Sequence, residues 1–171
     1  MKQSIAPEKI LDLLFKYPNT TFSLRELSKK LSLSPPAIGD ALKVLEKQEL
    51  ITLEKRFNYL VRGNITDTFT IKKRIANFTS MYTSGLIAYL NNTYPLATII
   101  LFGSYAYGQD AERSDIDIAI IDTKEKPLNL EPYEKECARP INIEYLPWKK
   151  ISPELKNSVI NGILFQGAIE L

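Results

Sequence analysis

Two aspartates one residue apart, Asp115 and Asp117, follow a Gly-Ser pair, Gly103 and Ser104, with ten residues between the serine and the first aspartate. Each half suits a different part of phosphate chemistry. On a strand, Asp115 and Asp117 share one face, and Ile116 and Ile118 take the other. Two carboxylates so placed form a clamp for Mg²⁺, which takes oxygen ligands and often shares them with substrate phosphates. A glycine ahead of Ser104 lets the backbone approach an anion closely. Backbone N–H groups of a turn or helix start, with the serine hydroxyl, can then hold phosphate oxygens. Phosphate cradle and cation clamp are the two halves of phosphoryl or nucleotidyl transfer. The plainer alternative is a glycine turn followed by two solvated aspartates.

Composition narrows the chemistry. The 171 residues suffice for one domain or two small ones. There is no histidine and only one cysteine, Cys137. That removes histidine-based mechanisms and an internal disulfide, and leaves zinc without its usual ligands. Hard-cation chemistry on carboxylates stays open. No apolar run is long enough to span a bilayer, and the first residues lack a signal-peptide core, so a soluble, cytoplasmic protein with no membrane partner is expected.

Several strands and helices must position the aspartates. ATIILF, residues 97–102, is a short apolar run that reads as a buried strand ended by Gly103-Ser104. DIDIAII, from Asp115, is a second strand, and RPINIEYL, Arg139 to Leu146, a third. EPYEKECA between them reads as a helix that ends near Cys137. Ser152-Pro153-Glu154 signals another helix start. Upstream, apolar residues at 71, 75, 78, 82, 86 and 89 step by three and four, which predicts one long amphipathic helix.

The front third has a different texture. PEKILDLLFKY predicts a helix with Ile10, Leu11, Leu14 and Phe15 on one face, ended by Pro18-Asn19. Ser23 and Glu26 have capping-box spacing ahead of Leu27 and Leu31. Ser34-Pro35 opens a third helix that runs to about Gln48, with Ile38, Ala41, Leu42 and Leu45 inward. Two alternating runs, around Ile51–Leu53 and Phe57–Val61, flank a polar turn and read as a hairpin. Net charge is +2, unevenly placed: residues 1–63 carry 11 basic and 7 acidic residues, residues 99–171 carry 8 and 12. A basic front and an acidic back suggest different partners.

Three helices and a hairpin over residues 5–63 resemble the winged-helix transcription regulators of prokaryotes. The resemblance implies that the third helix enters the major groove of double-stranded DNA and the wing lies on phosphates. Lys43 and Lys47 on that helix, with Lys55 and Arg56 at the wing tip, would be the DNA-binding residues. A winged helix used only for protein contacts is the other reading.

GSYAYGQDAERSDIDIAI resembles the signature of the minimal nucleotidyltransferases of the polymerase-β-like superfamily, a Gly-Ser pair, about ten residues, then Asp-x-Asp on a strand. The likeness is strong over 101–120 and looser over 65–171. It implies that Gly103 and Ser104 hold the phosphates of a nucleoside triphosphate and that Asp115 and Asp117 bind Mg²⁺. Two positions depart from the pattern. Where the family has an arginine, this chain has Tyr107, with Arg113 as the nearest substitute. Where active members place a third acid, it has Asn142, and Glu144 lies two residues on, about 6–7 Å along the same strand face. Asp115, Asp117 and Glu144 are thus the candidate catalytic carboxylates.

The sequence predicts a winged helix-turn-helix domain at 1–63, a connecting helix at 64–94, and a small α/β (α+β) nucleotidyltransferase-fold domain with a mixed sheet at 95–171. The function expected first is a DNA-binding regulator whose second domain binds nucleotide and Mg²⁺ with weak or no turnover. An active transferase of the antitoxin type, moving a nucleoside monophosphate to a protein or small molecule, is the alternative. A pure interaction module is the third. A homodimer is a further expected partner.

Overall fold

A computed structural model describes residues 5–55 and 59–169. It divides into two compact units, Met1–Lys73 and Arg74–Leu171.

The first unit holds helices α1 (Ile5–Lys16), α2 (Leu24–Leu31) and α3 (Pro35–Lys47) and strands β1 (Phe22–Ser23), β2 (Ile51–Lys55) and β3 (Tyr59–Gly63). α2 starts where its capping box closes: the Glu26 N–H donates to Ser23 Oγ at 3.3 Å, and the Ser23 N–H donates to the Glu26 carboxylate at 2.8 Å. α3 starts on Ser34, whose hydroxyl accepts from the Ala37 N–H at 3.4 Å. Pro35 then stands where a missing N–H does no harm. Ile10 and Leu14 of α1, Leu27 of α2, Ile38 and Leu45 of α3 and Val61 of β3 are fully buried or nearly so. Each such side chain contributes about 1.5–3 kcal/mol. The sheet is antiparallel, ordered β1-β3-β2. β1 has two residues, too few to show a period in the sequence.

The single long helix expected after the hairpin is two helices, α4 (Asp67–Thr83) and α5 (Leu86–Thr93). Between them Gly85 sits at φ 83°, a left-handed conformation that glycine adopts without a clash. The apolar stripe at 71, 75, 78 and 82 lies on the more exposed side of α4. Ile71, Ile75 and Tyr82 are well over half exposed, and Phe78 is 37% exposed. The buried line of α4 is instead Phe69, Lys73, Asn77 and Met81, at steps of four. Two of those four are polar, so apolar periodicity selects the wrong side.

The second unit carries a four-stranded mixed sheet of β4 (Thr98–Phe102), β5 (Ile116–Ile121), β6 (Ile141–Leu146) and β7 (Ile163–Gln166), ordered β6-β5-β4-β7. β4 runs antiparallel to β5 and β7, and β5 parallel to β6. Helices α6 (Gly103–Tyr107), α7 (Glu131–Cys137) and α8 (Pro153–Ile160) complete it. Alternation divides the strand residues between two cores. Ile99, Leu101, Ile116, Ile118, Ile120 and Ile141 join Leu86 and Leu90 of α5, with Cys137 buried among them. Ile100, Phe102, Ala119 and Leu146 join Val159 of α8. β4 is buried on both faces, which is why it reads as an unbroken apolar run.

Candidate functional site

Asp117 lies on the α8 side of the sheet, on the strand face shared with Ala119. Phe102, Asp117 and Asn142 form one row across β4, β5 and β6. Ile100, Ala119 and Glu144 form the next row. The polar residues therefore stand on an aliphatic and aromatic floor. Asp115 is exposed on the approach to β5, one residue ahead of the strand. The register thus gathers Asp117, Asn142 and Glu144.

Asn142 links the two acids beside it. Its Nδ2 lies 3.2 Å from Asp117 Oδ1 and 3.4 Å from Glu144 Oε1. Partial burial pushes the Asp117 carboxyl above its usual range, the Asn142 hydrogen bond opposes this, and the Asp115 charge adds to it. The Glu144 carboxyl is pushed up for the same first reason, then by the charge on Asp117. Both acids therefore hold a proton more readily than a solvated carboxyl, and the Asn142 hydrogen bond offsets this only in part. Among the described residues, no three His, Cys, Asp or Glu side chains are grouped so as to hold a metal ion. The Asn142 amide joins Glu144 to Asp117, and Asp115 stands exposed beside them in sequence.

The cradle side is set by Gly103, the first residue of α6, at φ 72°. A Cβ built there would meet Asp117 Oδ2 at 2.6 Å. Only glycine lets the chain turn here while the carboxylate stays close. Ser104 follows in the same turn, half-buried. Tyr107 holds no free hydroxyl for a phosphate: its Oη donates to the Ser158 carbonyl at 2.7 Å, tying α6 to α8. Arg113 is exposed in the turn before Ser114.

With this geometry in hand, the chain can be placed among known proteins. Residues 85–165 match the family described as Polymerase beta, Nucleotidyltransferase. This part of the chain is similar to the nucleotidyltransferase domains of that family. The matched stretch begins at Gly85 and so takes in α5, which the sequence assigned to the connector. The chain matches none of the curated proteins and none of the solved structures with which it was compared.

Sequence reasoning missed a second polar cluster in the nucleotidyltransferase unit. Asp110, Arg139 and Asn77 are almost fully buried. Arg139 Nη2 lies 3.1 Å from Asp110 Oδ2, and Asn77 Nδ2 lies 2.8 Å from Asp110 Oδ1. The three are far apart in sequence, so no local motif marks them. The signal available was a polar residue at position 77 in the Phe69–Met81 line of α4.

In the first unit, Lys43 and Lys47 are exposed on α3. Lys43 pairs with Asp40 at 3.0 Å, both side chains 79% exposed. Lys43, Gly39 and Leu42 of α3 line a groove of about 340 Å³ with Leu53 and Tyr59 of the hairpin, so the helix face and the hairpin are neighbours. Lys55 closes β2, and Arg56 lies outside the described residues. Among the described residues, no helix is long and apolar enough to cross a membrane.

Proposed function

We propose that this protein is a DNA-binding regulator whose nucleotidyltransferase domain holds a nucleoside triphosphate with Mg²⁺ and turns it over weakly or not at all. The observation that carries this reading is Asn142, which stands between Asp117 and Glu144 where a third carboxylate would complete a metal centre. An amide accepts no proton from an attacking hydroxyl, so general-base help is missing at that position. The donor set fits one hard cation on Asp115 and Asp117. Bound there, Mg²⁺ would screen phosphate charge. Gly103 and Ser104 would seat the phosphates against Asp117, and Phe102 would close the floor.

The regulator half rests on the first unit. Three helices with an antiparallel hairpin beside the exposed face of α3 suit a winged helix-turn-helix, with Lys43 and Lys47 facing phosphates. The exposed α4 residues Ile71, Ile75 and Tyr82 support pairing of two copies.

One titration series tests the site. Wild type is expected to bind Mg·ATP and to transfer no labelled nucleotide to itself or to added protein. Asn142→Asp is expected to tighten Mg²⁺ binding about tenfold or more, because a carboxylate replaces an amide between two acids. Transfer by wild type that disappears in Asp115→Asn and Asp117→Asn would instead establish the active enzyme, with Glu144 as its third acid.

A further inference from the structure

We propose that Arg139 is the positioning residue of this site: it fixes, in one place, the loop that delivers Asp115 and the strand that carries Asn142 and Glu144. The inference rests on the nucleotide-holding reading above only for its ligand; its geometry stands alone.

Arg139 is 6% exposed and lies two residues ahead of β6. Its guanidinium spans two groups of the loop between α6 and β5. Nη2 donates to Asp110 Oδ2 at 3.1 Å, and Nη1 donates to the Ala111 carbonyl. The backbone around Arg139 is anchored in turn. Its N–H donates to the Glu134 carbonyl at 3.1 Å, and the Ile141 N–H donates to Glu134 Oε1 at 2.9 Å. The Pro140 carbonyl accepts the Ile116 N–H at 2.9 Å, which joins the starts of β5 and β6.

The far side of Asp110 reaches the cradle. Asn77 Nδ2 bonds Asp110 Oδ1 at 2.8 Å and the Tyr105 carbonyl at 2.9 Å, one residue after Ser104. The network therefore touches α6 just past the Gly-Ser pair, the loop before Asp115, and the entry to β6. Three separate segments carry the site residues, and this cluster binds all three.

The loop has bonds of its own. Ala111 and Ser114 exchange two, at 2.9 and 3.1 Å. Those close a local turn and define its shape. They do not set where the turn stands against the sheet, and Arg139 does. A guanidinium suits the task because its planar fork holds two acceptors in fixed directions, whereas an ammonium is a point charge on a flexible stem. A buried ion pair is weak ground for stability alone, so position is the more telling role here.

The test uses the full chain as wild type, Arg139→Lys and Arg139→Gln. Mg·ATP affinity is measured by calorimetry, and amide hydrogen exchange is measured without ligand. Arg139→Gln is expected to weaken Mg·ATP about 10–100-fold, the range for residues that orient ligands from behind. Arg139→Lys is expected to recover part of that loss. Amides of residues 109–116 are expected to exchange about tenfold faster in Arg139→Gln, with β4 and α5 unchanged. Unchanged affinity with unchanged exchange overturns the proposal. So does exchange that quickens uniformly, since that marks plain destabilisation. If wild type does not bind Mg·ATP, the nucleotide reading fails, and the exchange pattern alone decides for or against Arg139. If Arg139→Gln does not fold, Arg139→Lys is judged by the same pattern.

Discussion

Two acidic clusters in the second unit are built on opposite terms. Asp110 is buried, paired with Arg139 and bonded by Asn77. Asp117 and Glu144 stand at the sheet surface and share the amide of Asn142. The buried cluster is compensated from within the fold. In the open one partial burial, and after it the charge of neighbouring acids, raises both carboxyl pKa values. The difference teaches that a buried acid here carries its own counter-charge, Arg139, whereas the acids at the sheet surface share only a neutral amide.

The sharpest way to break that contrast is to delete an acid from each cluster. Asp110→Ala strands a buried guanidinium and is expected to lower the free energy of unfolding by about 3–5 kcal/mol in urea titration. Glu144→Ala removes a carboxylate at the sheet surface and is expected to stay within about 0.5 kcal/mol of wild type. Equal losses would erase the distinction.

A middle-sized effect is expected at the boundary between cradle and clamp. Gly103→Ala combines a left-handed φ with a Cβ pressed on Asp117 Oδ2. It is expected to destabilise by about 1–3 kcal/mol in thermal unfolding. Adding Asp117→Ala should recover the steric part and leave the backbone part, a coupling that a double-mutant cycle reads directly.

The smallest effect concerns pH. The folded protein raises the Asp117 carboxyl pKa, so it binds that proton more tightly than the unfolded chain does. The stability this brings is complete below the unfolded carboxyl range, about pH 4, and is lost as pH rises through the folded value. Asp117→Asn stays neutral throughout. It is expected to exceed wild type by a few tenths of a kcal/mol at neutral pH, after solvent screening, and to lose that advantage in acid. Adding Mg²⁺ should reverse the order at neutral pH, because only wild type keeps the carboxylate that binds it.

Much of this was legible in the chain. Ser23 and Glu26 announced α2 because a capping box is purely local. The Asp-x-Asp strand was legible because Ile116 and Ile118 alternate with the acids, and burial follows that alternation. The α4 stripe misled for the converse reason: Lys73 and Asn77 are buried through partners that a helical wheel does not contain. β1 and α6 were invisible because two and five residues are shorter than the patterns used to find them. The placement of Asn142 beside Asp117 comes from the β5–β6 register, which the sequence does not state. The Asp110–Arg139 pair could not be seen, since only the closed sheet brings positions 110 and 139 together.

Gly103 has a consequence for how this lineage would change over time. Its φ and its close neighbour Asp117 make the glycine an architectural requirement, whether or not a nucleotide ever arrives. A descendant that abandoned transfer would keep Gly103, much as a building keeps its arch after the gate is gone. Positions 107 and 142 carry no such demand: Tyr107 has taken up a bond to α8, and Asn142 sits exposed. The glycine is therefore held by the fold itself.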